Sequence, residues 1–392
     1  MEHAWGYLQK ELRATPGRGN YTLRMTLSCA ILIALFMSLQ IPFLAIALIV
    51  VFYVSQPNVV MISLVSVAFM LVVTLVLGGV LLIIKWTYDY PLVRLVASVL
   101  LFALAVYLMR IMGKLGLAFF VVALAVIYAQ TFPSMTGQSE ILVRLLLWLW
   151  VAINSAIVVT LLVNACFAQA FPGWQFKSAL AAMLRQTAAC LTQTDGGSLE
   201  QTRPTFSAIA RQMSQLHTLY KLARLSSAEI ADNQQKWQSV MAFTLRSYQL
   251  IALLQTAAPD AARKPLVDAL LTLAKQVEEG KLPPVQDLSL SVEREQDVIV
   301  RDIAALLTAL QRGEEIALPP GEGEKIALMP PDAWRNPAYL HFTLKTVLAT
   351  LICYVFYTAA DWQGIHTIML SCVIVAQPGL GATMQKIALR IG

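Results

Sequence analysis

Hydrophobic residues fall in long runs over the first 170 positions of the chain, with no polar face interleaved. Residues 25–84 contain no Asp, Glu, Lys or Arg at all, whereas about 20 apolar residues suffice for a helix to cross the hydrocarbon of a bilayer. The pattern predicts apolar helices from Leu23 to Leu39, Pro42 to Val54, Val59 to Ile84, Pro91 to Met109, Leu115 to Phe132 and Leu145 to Phe167. The second is short because Ser55-Gln56-Pro57-Asn58 interrupts it. It crosses only if neighbouring helices shelter the polar backbone of that break. Six crossings return the chain to its starting side.

From about Gln175 the spacing becomes that of amphipathic helices in water. Phe176, Leu180, Met183, Leu184 and Leu191 make one apolar stripe, and Phe206, Ile209, Met213, Leu216 and Tyr220 make another. Ser226 and Glu229 have capping-box spacing ahead of a helix that carries Trp237, Met241, Leu245 and Tyr248. Further helices are predicted over 261–279 and 291–312, the latter stopped by Gly313. Pro319-Pro320-Gly321 and Pro330-Pro331 mark a linker, after which Thr346 to Ala360 and Trp362 to Val375 are apolar again. No run alternates as a strand would. The expected fold is an all-α membrane protein. It has an interfacial or tail-like N-terminal segment at 1–20, a six-span helical bundle at 21–168, a cytoplasmic helical domain at 169–312, a Pro and Gly linker at 313–337, and the start of a second bundle at 338–392.

Composition agrees: 58% of residues are hydrophobic and 13% charged, where soluble domains run at about 45–50% and about 25%. A wholly soluble enzyme, a disordered chain and a disulfide-stapled secreted scaffold are excluded, and no catalytic, cofactor or metal motif is present. Residues 171–337 hold 17 Lys or Arg and 18 Asp or Glu, which leaves 12 of the 29 basic and 5 of the 23 acidic residues for the rest. The net charge of +6 thus sits at the edges of apolar segments, where it reads as a topology signal and not as a nucleic-acid patch. With the N-terminus cytoplasmic, the inside flanks hold Lys10, Arg13, Arg18, Arg24, Arg110, Lys114, Lys177 and Arg185, and the outside flanks only Lys85, Arg94 and Arg144. Cys29, Cys166, Cys190, Cys353 and Cys372 have no paired close spacing and read as small apolar residues.

Sliding the sequence by 321 positions places Thr22-Leu23-Arg24 on Thr343-Leu344-Lys345, Leu27 on Leu348, Ile31 on Ile352 and Gln56-Pro57 on Gln377-Pro378. One gapless offset that matches a basic residue at a span entrance and a Gln-Pro break thirty residues later predicts a duplication. Both copies start from the same side, so the repeat is parallel. The second bundle stops after two crossings and the start of a third, so the sequence reads as a fragment or a truncated gene product.

Bundle, soluble helical insert and bundle, with a Gln-Pro break in each half, resembles the fusaric acid resistance and aromatic acid exporter family of bacterial inner membranes, and within it the multidrug efflux members. The resemblance rests on Pro42-Phe43 with Phe52-Tyr53, Lys85-Trp86 with Pro91-Leu92 and Arg94-Leu95, Leu115-Gly116-Leu117, Gln130-Thr131-Phe132-Pro133, Asp361-Trp362 with Gly364-Ile365-His366-Thr367, and Leu389-Arg390. It implies an exporter of small aromatic or amphipathic compounds that works with a periplasmic adaptor and an outer-membrane channel. Two features depart from a working copy: the short second bundle, and Val65 and Phe69 where the second copy has Lys386 and Arg390.

Candidate transport residues follow from the repeat. Proline removes a backbone donor and frees nearby carbonyls, so Gln56-Pro57 and Gln377-Pro378 are either solute-binding breaks or tight turns at the cytoplasmic surface. Arg24 and Lys345 either draw anionic substrates into a cytoplasmic mouth or snorkel to headgroups as topological anchors. Asp361 and His366 form either an interfacial loop pair or a proton relay on the opposite side. The expected partners are membrane lipid, the adaptor and channel, a small aromatic or anionic substrate, and a further copy of the chain. A passive organic-anion channel and an envelope scaffold are the competing functions.

Overall fold

A computed structural model describes residues 17–112, 116–135, 138–192, 203–254, 263–284, 297–317, 329–360, 367–376, 381 and 383–384. The predicted N-terminal segment lies outside them up to residue 16. Among the described residues there are fourteen α-helices and no strand. The chain divides into two units, one of residues 1–166 with 326–392, the other of residues 167–325.

The first unit is the apolar one. It holds α1 (Arg18–Leu39), α2 (Leu44–Val54), α3 (Val59–Thr87), α4 (Pro91–Ile111), α5 (Gly116–Met135), α6 (Ser139–Ala165), α13 (Pro337–Ala359) and α14 (Thr367–Val375). Of these, α1, α3, α4, α6 and α13 are long and apolar enough to cross a membrane. Helix α6 is the hub. It packs against α1, α2, α3 and α5, and half of its most apolar window is buried, against 22–28% in the other four. Its Trp150 donates to Thr74 Oγ1 of α3 at 2.9 Å.

Local chemistry sets the helix ends. Proline at the first turn of α4 and α13 has the φ a helix needs and lacks only an N–H that would be unpaired there. Asn336 caps α13 by accepting from the Ala338 N–H at 3.0 Å. The entry to α13 is stitched to the end of α4, where Tyr107 Oη donates to the Ala333 carbonyl at 2.7 Å and the Arg110 guanidinium lies over the Tyr339 ring. A side chain at Gly116 would collide with the Met109 carbonyl, so α5 can approach the end of α4 only through glycine.

One pair of helix ends falls at the 321-residue offset. Shifted by 321, the end of α2 at Val54 falls on the end of α14 at Val375. The closing hydrogen bonds also coincide: Ser55 N–H to the Val51 carbonyl and Ala376 N–H to the Cys372 carbonyl, both at 3.0 Å.

The second unit contains α7 (Pro172–Leu191), α8 (Phe206–Ser226), α9 (Ala228–Asp232), α10 (Gln234–Ile251), α11 (Lys264–Glu278) and α12 (Val298–Gln311). Helix α7 packs against α8, α10 and α11, and α10 packs against α12. Phe176 of α7 sits at the centre of this core, 5.5 Å from the Tyr220 ring and 6.0 Å from the Trp237 ring. Gly313 stops α12 as predicted, at φ 78°, with the Glu314 N–H reaching back to the Ala309 carbonyl. The predicted capping box does not form. Ser226 belongs to α8, where its hydroxyl donates back to the Leu222 carbonyl, and Glu229 pairs instead with Lys177 at 3.1 Å. Burial pushes the Cys190 thiol up to about 11, which leaves it a protonated core residue.

His217 of α8 is held below its usual pKa by burial and then by the Lys221 charge, and its Nε2 is buried without a described partner. The unfolded chain therefore takes up the proton first. Stability is full above the ordinary histidine value of about 6.5 and is lost as pH falls from there toward the lower folded value. Melting of the chain in detergent should show an acid-side loss over that window that is smaller in His217→Gln. Equal losses in the two proteins would refute it.

Candidate functional site

Helix α2 has 11 residues, about 16 Å at 1.5 Å each, against a hydrocarbon thickness of about 30 Å. The non-helical residues 55–58 follow it, and wherever non-helical backbone lies at membrane depth it must find polar partners within the protein. The Ser55 carbonyl accepts from Tyr21 Oη at 3.3 Å. The Pro57 carbonyl accepts from Arg24 Nη2 at 3.2 Å. Asn58 Oδ1 accepts from the Met61 N–H at 2.9 Å and so starts α3.

Arg24 joins this break to α6, because its Nη1 donates to Asn164 Oδ1 at 2.6 Å. Asn164 is held in turn by donating to the Thr160 carbonyl at 2.8 Å. Arg24 lies in the second turn of α1, about 9 Å from its start, and Asn164 in the last turn of α6. The start of α1, the break and the end of α6 therefore share one face of the unit.

The electrostatics of this cluster are lopsided. Arg24 is only 3% exposed, it pairs with no described carboxylate, and its Nε is buried without a described hydrogen-bond partner. Removing a cation from water without an opposite charge is costly, and neutral oxygens compensate only part of that cost. Asn164 and the Pro57 carbonyl, inside the unit, are the hydrogen-bond partners of Arg24. Gln56 beside it is half-buried, and its amide hydrogen-bonds to no described residue. Lys345, the sequence equivalent of Arg24, is exposed. Gln377, Pro378, Asp361 and His366 lie outside the described residues.

A second feature is a narrow uncharged cleft lined by Ser98 and Phe102 of α4, Ile127 of α5, Thr350 and Tyr354 of α13, and Met369 of α14. Its walls come from helices far apart along the chain, and the Tyr354 phenol makes no hydrogen bond to a described residue. An apolar body with one acceptor group fits such a lining.

No family model matches the chain. Multidrug resistance protein MdtO of Escherichia coli strain K12 is 34% identical to it over 388 residues, which cover 96% of this chain and 55% of that protein. MdtO of Escherichia coli O157:H7 gives the same figures, and MdtO of Shigella flexneri is 34% identical over 390 residues. The chain is a homologue of MdtO. It spans about half the length of these MdtO relatives. Because 96% of it aligns, the similarity to MdtO runs through both units of the chain.

Proposed function

We propose that the chain is part of a multidrug efflux component of a bacterial inner membrane, with its N-terminus in the cytoplasm. The observation that carries this reading is the similarity to MdtO over nearly the whole chain. The membrane unit supports it with the two features a solute pathway needs. One is a broken pass whose polar groups are gathered around the buried Arg24, and the other is an uncharged cleft for an apolar body. In this reading Gln56 and Gln377 offer amides to the polar part of a small aromatic or amphipathic solute, and Arg24 fixes the first break. A periplasmic adaptor and an outer-membrane channel complete the route.

The complete gene product, expressed with its adaptor and channel, should lower cellular accumulation of a planar aromatic drug. Replacing Gln56 and Gln377 together by Ala should cut that export severalfold at equal protein level. Export unchanged in the double variant would leave the breaks as structural turns. A second reading, a passive organic-anion pathway, is favoured by the absence of a described carboxylate beside Arg24. Accumulation against a gradient separates the two, since a passive pathway only equilibrates its solute.

A further inference from the structure

The α13 and α14 helices form a close pair, and on their shared seam Cys353 Sγ and Cys372 Sγ lie 3.2 Å apart, both as free thiols. Nineteen residues separate them in sequence. Both are half-buried. A sulfur–sulfur bond is about 2.05 Å long, so closure asks for an approach of about 1.2 Å, which small rotations of two side chains supply. The positions that the 321-residue offset makes equivalent in the first copy are Leu32 and Val51, each fully buried. Where one copy carries a purely apolar pair, the other therefore carries a pair able to do chemistry.

We propose that Cys353 and Cys372 are a modification site, a dithiol that a peroxide closes to a disulfide, pinning α13 to α14 just ahead of the second Gln-Pro break. The thiolate of one cysteine attacks hydrogen peroxide, the O–O bond breaks, and a sulfenic acid and one water result. The second thiol then attacks the sulfenic sulfur, forming the S–S bond and releasing a second water. Two thiols and one peroxide become one disulfide and two waters. Cys353 lies six residues before the end of α13 at Ala359 and Cys372 five residues after the start of α14 at Thr367, so each is within two turns of the helix end that flanks residues 360–366, the end of α13 remote from Pro337. In the orientation proposed above, that end faces the periplasm, where disulfides persist. The pairing itself does not depend on that orientation or on efflux.

The test is a thiol count on the complete gene product in isolated membranes. The protein is treated with hydrogen peroxide, denatured, and labelled with a polyethylene-glycol maleimide that shifts its gel mobility once per free thiol. The treated parent should carry two adducts fewer than the reduced parent, and dithiothreitol should restore both. Cys353→Ser and Cys372→Ala should lose no pair of adducts reversibly, and melting curves matching the parent's would show both variants folded. Equal adduct counts before and after peroxide would overturn the proposal, as would a reversible loss of two that persists in Cys353→Ser. Neither outcome touches efflux, which is read by drug accumulation.

Discussion

Arg24→Ala should lower the stability of the membrane unit by on the order of 2 kcal/mol, because it strips the buried Asn164 Oδ1 of its guanidinium donor and an abandoned buried acceptor costs about 1–3 kcal/mol, while the hydrogen bond from Arg24 to the Pro57 carbonyl is lost as well. The readouts are the melting temperature in detergent and the amount of protein reaching the membrane. Arg24→Lys should recover only part of the loss, since an ammonium is a point donor without the planar fork that reaches two acceptors on different elements. Arg24→Met separates structure from transport. It fills much of the volume and removes a buried charge that has no described counter-charge, so it should melt closer to the parent than Arg24→Ala does. Export lost in Arg24→Met at parental stability would assign the cation to the solute pathway. Melting unchanged in Arg24→Ala would show that the break holds itself together without the guanidinium.

The largest effect in the second unit is expected at Trp237. Its side chain, on α10, is fully buried in the core of that unit against Phe176 of α7, and truncating a buried tryptophan to alanine costs about 3–5 kcal/mol. Trp237→Phe should be much milder. The indole Nε1 is buried with no described partner, so its removal relieves an unmet donor while the ring contact with Phe176 persists in part. Protease sensitivity and thermal unfolding of the chain report both. Equal losses in the Phe and Ala variants would mean that the indole N–H is satisfied after all.

Much of this architecture was legible in the sequence, because a run of apolar residues carries its own length. The predicted starts at Val59 and Pro91 coincide with those of α3 and α4, and the predicted helix over 261–279 contains α11. The Gln56-Pro57 break was legible too, since proline and the polar cluster around it act locally. What was hidden depended on partners far along the chain. Arg24 reads as a flank residue until Asn164, 140 positions later, is seen to receive it. Asn164 and Tyr21 offered no signal beyond being polar residues near span ends. Cys353 and Cys372 match no spacing motif, because their meeting depends on how two helices turn back on one another. Ser226 misled for the opposite reason: a hydroxyl bonds to the carbonyl of its own preceding turn as readily as it caps the next helix.

The position of α6 as hub has a consequence for how this sequence can drift. Its inner face, with Leu142, Leu146, Leu149, Ile153 and Ile157 at three- and four-residue steps, is as closed as the core of a soluble domain, so a change there must conserve volume as well as polarity. Its outer face, with Val143, Leu147, Val158 and Leu162 exposed, meets no described neighbour that fixes shape. Lipid asks of those positions only that they be apolar. Among homologues, the outer face should therefore exchange Leu, Ile, Val and Phe freely while the inner face keeps side chains of fixed size, and the border between the two regimes should run along α6 with a helical period.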